Sequence, residues 1–469
     1  MPTAPLMDRL VAPLGARRLV EGRPGMGWLL TEMAPVVVWT GITGAMGLES
    51  VLLISYLGLL GCDDQMLALL PMLGFGGMLV ALAIIHLQQG LTMETAQRHC
   101  FRSALWGRIL WMGTILWPLV AWFFQAPDWV VWGGVLAVIA LSQTVLWVGV
   151  SSFAMWTQSV VPLRLRGQFY TWRNTASFII LALTMSLTSL LMPSGGQASD
   201  PEGTLRVLMW LFGITTVFSV LAAWPLAWSP PAPAHARAQG GGPRKPLLTV
   251  LRGHPALRRF LAFGTLNAAS NAIFLTYMAR YLFDLAIGED AVALWQGIMQ
   301  MPFMLVGIWL AGWLLPRLGG ARMLGLAQVG LMAVQACFLA LTVENQVWLL
   351  PLLFAGWGLT RSAQRLISFG RLQEVVSAGD PRQPSLYFGL MGLGSICGAA
   401  AVMLAVPYLE AARGLGNLQH PVSWYIMASA IVLGILASLI AVWRQPPYEP
   451  YDPEEGIVPA PNGPQGMRP

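Results

Sequence analysis

The stretch Ser229-Pro-Pro-Ala-Pro-Ala-His-Ala-Arg-Ala-Gln-Gly-Gly-Gly-Pro-Arg-Lys-Pro246 decides how this chain is organised. Runs of proline and glycine of this kind form flexible linkers and do not form helices. Long apolar stretches lie on both sides of it, six before and six after. The segment therefore predicts two halves with equal numbers of helices, joined by a cytoplasmic linker over 230–255.

The apolar stretches are about 20 residues or longer, the length that a helix needs to cross the ~30 Å apolar core of a bilayer. Spans 1 to 6 lie near 34–60, 65–87, 103–125, 129–157, 171–193 and 205–229. Spans 7 to 12 lie near 256–284, 290–316, 322–343, 346–369, 385–408 and 422–443. We predict an all-α membrane protein of twelve transmembrane helices, with six-helix halves over 34–229 and 256–443. A cytoplasmic N-terminal tail over 1–33 and a disordered cytoplasmic tail over 444–469 complete the chain.

The composition excludes the soluble classes of protein. Of the 469 residues, 56% are hydrophobic and only 10% are charged, whereas a soluble domain carries about 25% charged residues. So few charges cannot cover the surfaces of a soluble enzyme, a nucleic-acid-binding protein or a disordered chain. The expected partner of the surface is the lipid bilayer, and no nucleic acid is expected.

The distribution of basic residues predicts the orientation. With the N-terminus inside, 24 of the 27 lysines and arginines fall on the cytoplasmic side, and three fall outside: Arg206, Arg280 and Arg413. Cytoplasmic loops of membrane proteins carry such an excess. We therefore expect a multi-pass protein of the bacterial inner membrane with both termini in the cytoplasm.

Two short motifs add a resemblance. The stretch Val161-Pro-Leu-Arg-Leu-Arg-Gly-Gln-Phe-Tyr-Thr-Trp-Arg173, between spans 4 and 5, is similar to the proline-x-x-x-arginine-glycine-x-aromatic-aromatic-x-x-arginine signature of the major facilitator superfamily. The stretch Gly312-Trp-Leu-Leu-Pro-Arg-Leu-Gly319, between spans 8 and 9, resembles the superfamily's glycine-x-leucine-x-aspartate-arginine-x-glycine loop. Together with the six-plus-six pattern, the resemblance covers about 35–443.

The resemblance implies a fold, an activity and several gating residues. The fold is two six-helix pseudo-repeats, and the activity is secondary transport of a small-molecule substrate by alternating access. Spans 1, 4, 7 and 10 would line the central cavity. The arginines assigned to the cytoplasmic gate are Arg166, Arg173, Arg317, Arg361 and Arg365.

Glu49 is the sharpest single feature, because it is the one carboxylate that the spans place well inside an apolar stretch. A charge at that depth is costly, so the side chain should face a water-filled cavity or be protonated. Either condition suits proton coupling or the binding of a cationic group. The alternative is that Glu49 lies close to the outer water or bonds a neighbouring helix. Tyr56, seven residues on, would share its helical face as a substrate contact.

The other candidate substrate contacts are polar pairs and one deep tryptophan. Asn267 and Asn271 in span 7 are four residues apart, as are Gln296 and Gln300 in span 8, so each pair lies on one helical face. Trp357 in span 10 could stack on an aromatic or cationic substrate. For all five, the alternative is a structural role as hydrogen-bonding or packing groups between helices.

The leading hypothesis is a proton-coupled secondary transporter for a small organic solute, with a lipophilic or cationic compound favoured. Pro316 stands where the second motif's acid is expected, and 88–102 carries no such motif. These departures motivate the alternative of a non-transporting accessory or assembly subunit that binds a membrane-protein partner through its C-terminal tail. The sequence lacks GxxxxGK[ST], HExxH and GxSxG, so we expect neither an enzyme nor a cofactor or metal. A lipid-modifying enzyme would need a cluster of histidine, aspartate and glutamate residues near one face of the membrane, and the sequence shows none.

Overall fold

A computed structural model describes residues 6–12, 17–21, 25–45, 50–67, 69–87, 93–161, 163–196, 199–231, 255–375 and 382–442. In the first half the helices are Leu6–Val11, Arg17–Val20, Met26–Thr31, Met33–Thr43, Val51–Leu59, Asp64–Leu67, Leu69–Leu87, Met93–Trp111, Gly113–Phe123, Asp128–Val160, Leu163–Leu191, Pro201–Leu221 and Trp224–Trp228. In the second half they are Pro255–Asp284, Glu289–Trp295, Met301–Leu318, Gly320–Phe338, Gln346–Val375, Arg382–Gly414 and Val422–Val442, with a π-helical turn over Gln296–Gln300.

Every predicted span contains helix among its described residues, and the all-helical class is confirmed. Among the described residues, seven helices are both long and apolar enough to cross a bilayer on their own. The number of twelve crossings remains a prediction, because several spans are divided into shorter helices or are less apolar. The boundaries of the two halves and of the tails also remain predictions.

The surface and the interior have the distribution expected in lipid. Large apolar side chains are exposed along the helices, for example Leu183, Trp309 and Leu404. Polar side chains such as Ser142 and Ser270 are fully buried. In a bilayer, polar groups are satisfied inside the helix bundle while apolar groups face the acyl chains. The molecule is therefore a multi-pass membrane protein.

Local sequence explains where helices begin and turn. Span 6 starts after Asp200, whose carboxylate accepts a hydrogen bond from the Gly203 N–H at 2.9 Å. Pro201 follows at the first helical position, where its missing N–H costs nothing. Spans 8 and 9 meet at Gly319, whose φ of 77° is strained for any residue with a side chain.

Small residues and buried hydroxyls hold neighbouring helices together. In the first half, Ser142 of span 4 donates to the Gly107 carbonyl of span 3 at 2.7 Å. In the second half, Ser270 of span 7 donates to the Ala430 carbonyl of span 12 at 2.7 Å. Such contacts replace the hydrophobic effect as the specific attraction between helices in lipid.

Part of the N-terminal segment that was predicted as a tail is helical. Asp8 is buried and accepts hydrogen bonds from the Gly25 and Gly27 N–H groups at 2.8 and 2.6 Å. A carboxylate at the start of a helix satisfies its free N–H groups, and here that helix begins at Met26. The segment around Asp8 is therefore folded against the first half, which the charge of the tail did not indicate.

Candidate functional site

Span 1 is interrupted in the middle of its apolar stretch. Its helix ends at Thr43, Gly44 adopts a left-handed conformation with φ 71°, and helix resumes at Val51. Ser50 bridges the interruption by donating to the Ile42 carbonyl at 2.8 Å. Broken helices at this depth occur in transporters where solutes and ions bind. Glu49 falls within 46–49, which lies outside the described residues, so its predicted role is unchanged.

Glu32, which the sequence placed in the cytoplasmic tail, is the centre of a buried ion triad. Its carboxylate pairs with Arg108 at 2.7 Å and with Arg173 at 2.9 Å, and it is only 4% exposed. Arg108 also donates to the Ser219 carbonyl at 2.7 Å, and Arg173 lies over the Phe153 ring. The triad thus connects the start of span 1, which Glu32 precedes, with spans 3, 4, 5 and 6. Glu32 precedes the apolar stretch of span 1, so a search for carboxylates inside the spans did not find it.

Arg173, predicted at the gate, has both its ion-pair and ring partners in the first half. The remaining gating arginines differ in setting. Arg317 is exposed, donates to the Trp313 carbonyl at 2.8 Å and stacks on the Trp313 ring. Arg361 is buried near the middle of its helix, while Arg365 is exposed. The side chain of Arg166 lies outside the described part, and all five gating roles remain predictions.

Tyr56 is a core residue of the first half. It is fully buried, and its hydroxyl donates to the Thr114 carbonyl of span 3 at 2.8 Å. Pro118 lies four residues after Thr114 and has no N–H to donate to that carbonyl. The ring packs on Phe212 of span 6. The structure therefore places Tyr56 among spans 3 and 6, and its role as a substrate contact remains a prediction.

The two asparagines of span 7 bond to each other and to span 9. The Asn271 amide donates to the Asn267 side-chain oxygen at 2.8 Å and accepts from Gln335 at 3.3 Å. All three side chains are buried within the second half. This geometry favours the interhelical role over direct contact with a solute.

Trp357 is part of a packed aromatic cluster. It is 3% exposed, and its ring lies 5.3 Å from that of Phe274 and 5.5 Å from that of Phe338. Phe338 also contacts Phe354. Spans 7, 9 and 10 contribute these rings, so packing accounts for the position of Trp357.

Gln296 and Gln300 begin and end a π-helical turn in span 8. The turn lies between two helices: Gly297 touches the backbone of Ser186 in span 5, and Gly358 of span 10 approaches the Gln300 carbonyl. Spans 5 and 8 belong to different halves. Single π turns widen a helix and are frequent at functional sites. Of the predicted substrate residues, Gln296 and Gln300 therefore lie beside the contact between spans 5 and 8, which we call the seam between the halves.

The halves contact each other along spans 2 and 11 and along spans 5 and 8. They also meet at two ends, which we name outer and inner after the predicted orientation. The outer contact consists of Ser55, Gly195, Gly196, Glu289 and Asp290. Ser55 of span 1 donates to Glu289 of span 8 at 2.5 Å, and the Gly195 N–H lies 3.4 Å from an Asp290 carboxylate oxygen. Glu289 is fully buried although it precedes the apolar stretch predicted for span 8.

The inner contact consists of Met78, Leu82, Trp147, Phe388 and Gly389. The ring of Trp147 in span 4 lies 5.7 Å from that of Phe388 in span 11. Leu82 of span 2 packs where a side chain on Gly389 would lie. The inner contact is apolar, whereas the outer contact is polar.

Sequence reasoning missed the ion triad and the outer contact for different reasons. Glu32, Arg108 and Arg173 lie at or just inside the cytoplasmic ends of predicted spans, and a rule that buried ions need partners could have paired them. Glu289 gave no such signal, because its burial depends on a loop from the other half.

The structure thus has two helix bundles that contact each other at both ends. This is the architecture that the resemblance to the superfamily implied. A model of the family described as MFS/sugar transport protein matches residues 101–445, well over half of the chain. The chain belongs to this family. It is therefore a major facilitator superfamily member, as the two motifs indicated.

Solved members of the superfamily share the fold. The crystal structure of the D-xylose-proton symporter superposes with a TM-score of 0.61 at 14% identity, covering 89% of this chain and 96% of that one. The nucleoside transporter NupG gives 0.56 at 14% identity, covering 88% and 100%. A single-residue variant of the E. coli fucose:proton symporter FucP gives 0.54 at 14% identity, covering 88% and 98%. No curated protein matches the sequence. Family and fold point to a transporter and not to an enzyme.

Proposed function

We propose that this protein is a proton-coupled secondary transporter that carries a small organic solute across the bacterial inner membrane, with both termini in the cytoplasm. The observation that supports alternating access is the pair of opposed contacts between the halves. The outer contact joins spans 1 and 8 and the loop after span 5, and the inner contact joins spans 2, 4 and 11. Opening one while the other stays closed would expose a central site to one side at a time.

The coupling site is proposed at Glu49. The sequence places this acid inside an apolar span, where a charge is costly unless the side chain faces water or is protonated. Proton loading there would couple the proton gradient to the movement of the halves.

The solute is proposed to be neutral and hydroxylated. The family description names sugar transport, and the superposed structures are named as transporters of nucleosides, fucose and D-xylose. Gln296 and Gln300 lie beside the seam between the halves, and amides can both donate to and accept from hydroxyl groups. This proposal replaces the weaker sequence-based preference for a lipophilic cation, since the deep tryptophan Trp357 is engaged in packing.

The test is uptake by the purified full-length chain in proteoliposomes with an imposed pH gradient. The probes are radiolabelled D-xylose, fucose and a nucleoside, with a lipophilic cation as the competing class. We expect gradient-driven accumulation of a hydroxylated probe, and we expect Glu49→Gln to abolish accumulation while leaving exchange of labelled for unlabelled solute. Accumulation that survives in Glu49→Gln would contradict the coupling role. Absence of uptake of every probe, with a stoichiometric partner after purification, would favour the accessory-subunit alternative.

A further inference from the structure

The carboxylate of Glu289 is the centre of the outer contact. It is the first residue of its helix in span 8 and is 0% exposed. One carboxylate oxygen accepts the hydroxyl of Ser55, itself 1% exposed, at 2.5 Å. Ser55 lies in span 1 of the first half, so this hydrogen bond joins the two halves at their outer ends.

Glycines allow the loop after span 5 to close over this carboxylate. Gly196 has a left-handed φ of 58°, and a β carbon there would overlap the second carboxylate oxygen of Glu289. A β carbon on Gly288 would lie 2.8 Å from the Gly195 carbonyl carbon. Side chains at these positions would therefore hold the loop away from span 8. The outer contact is built from a carboxylate and from two adjacent glycines of the loop, Gly195 and Gly196.

The physical chemistry of this contact suits a reversible gate. A carboxylate gains hydration when it returns to water, which offsets the loss of its hydrogen bond with Ser55. Apolar contacts of similar size lack this compensation, because opening them exposes apolar surface. The outer contact can thus hold the halves together without locking them.

We propose that Glu289 is a positioning residue for the transport cycle, which holds the outer side closed through Ser55 and Gly196 and sets how often it opens. The inference rests on the proposed function, since only a protein that alternates needs such a contact. It concerns the outer side, and it is independent of the coupling role of Glu49.

Cys62 provides the readout of outer opening. It lies at the outer end of span 1, it is 6% exposed, and the other three cysteines can be replaced by serine. The rate at which a membrane-impermeant maleimide labels Cys62 in the full-length chain then reports opening from outside. We expect Ser55→Ala and Glu289→Gln each to raise this rate about tenfold, the change expected on loss of a hydrogen bond to a charged group. The double variant should show no additive increase, because both residues serve one contact.

Gly196→Ala and Gly416→Ala form a matched pair for the loop. Both glycines have left-handed φ, 58° and 75°, so alanine strains the two backbones alike. Only at Gly196 does the added methyl group meet Glu289, since nothing lies within 4 Å of a β carbon at Gly416. Gly196→Ala should accelerate labelling of Cys62, and Gly416→Ala should not. Glu344→Gln, an exposed outer carboxylate, is the control for charge.

The outcomes separate this inference from the proposed function. Unchanged labelling in Ser55→Ala and Glu289→Gln, with solute uptake intact, overturns the role of Glu289 and leaves transport standing. Equal acceleration in Gly416→Ala or Glu344→Gln also overturns it, because the effect would then be general loosening. Acceleration confined to the outer-contact variants supports the gate even where no probe is transported. Ser55→Ala, the mildest change, decides the question if Glu289→Gln fails to fold.

Discussion

At the scale of single residues, Pro118 leaves the Thr114 carbonyl without its helical donor, and Tyr56 supplies one from another span. A buried carbonyl without a partner is costly in a bilayer. The sequence pattern suggested Tyr56 as a solute contact, but its hydroxyl is already engaged. Tyr56 should therefore contribute to the stability of the protein.

Tyr56→Phe should lower the free energy of unfolding by about 1–3 kcal/mol, because the Thr114 carbonyl loses its donor. Unfolding in mixed micelles with increasing SDS, followed by circular dichroism, measures this change. Tyr408→Phe is the matched control, since Tyr408 is 76% exposed. Unchanged stability together with a raised KM for solute would restore the substrate role of Tyr56.

Glu32 carries a second residue-scale prediction. Removing its charge leaves Arg108 and Arg173 buried without a counter-charge, and breaking a buried ion pair costs about 3–5 kcal/mol. Glu32→Gln should therefore destabilise the protein by that amount in the same unfolding experiment. Glu21→Gln, which breaks an exposed ion pair with Arg17, should change stability by no more than about 1 kcal/mol. Equal effects of the two changes would show that the triad is not a structural centre.

At the scale of elements, the interruption of span 1 and the π turn of span 8 are the two departures from regular transmembrane helix. The first has a defined cause in Gly44, whose left-handed conformation ends one helix, and in Ser50, which bonds back to it. The second widens span 8 where spans 5 and 10 press against Gly297 and the Gln300 carbonyl. Both lie in spans that contact the opposite half.

Gly44→Ala should destabilise the interruption of span 1, because alanine in a left-handed conformation costs about 1–2 kcal/mol. Gly58→Ala in the same span is its control: a β carbon there meets nothing within 4 Å, and alanine favours the helix by about 1 kcal/mol. We expect opposite shifts in the free energy of unfolding, and a loss of gradient-driven uptake in Gly44→Ala alone. Uptake that persists in Gly44→Ala would mean that the interruption is not needed for transport.

At the scale of the whole molecule, the two halves differ in how they are held. The first half is tied by the ion triad across five spans. The second half is held by buried amides and an aromatic cluster. Because each half is bonded internally and the halves share fewer polar contacts, relative movement of the halves as rigid bodies is the expected motion.

A cross-link through the inner contact should stop the cycle. A β carbon at Gly389 would lie 3.2 Å from that of Leu82, close to the separation of about 3.5–4.5 Å in disulfides. In a background without the native cysteines, oxidised Leu82→Cys/Gly389→Cys should lose solute uptake at least tenfold and regain it on reduction. Ser103→Cys/Gly149→Cys joins spans 3 and 4 within one half at 3.1 Å and should leave uptake intact. Full uptake by the oxidised inter-half pair would rule out opening at the inner contact.

The sequence by itself determined the all-helical class and the family, because these follow from apolar length, charge placement and short local motifs. The motif around Arg173 was also found from the sequence, although its ion partner Glu32 was not. Each of these signals is contained within one segment of chain.

Only the tertiary structure decided which side chains meet. Glu289 is buried by a glycine loop from the other half, Tyr56 is engaged by a carbonyl that a proline left free, and Asn271 bonds to span 9. The helical period shows which residues share a face but not which helix that face meets. In a membrane bundle nearly every helix face is apolar, so the choice of neighbour rests on small residues and single hydrogen bonds between segments far apart in sequence.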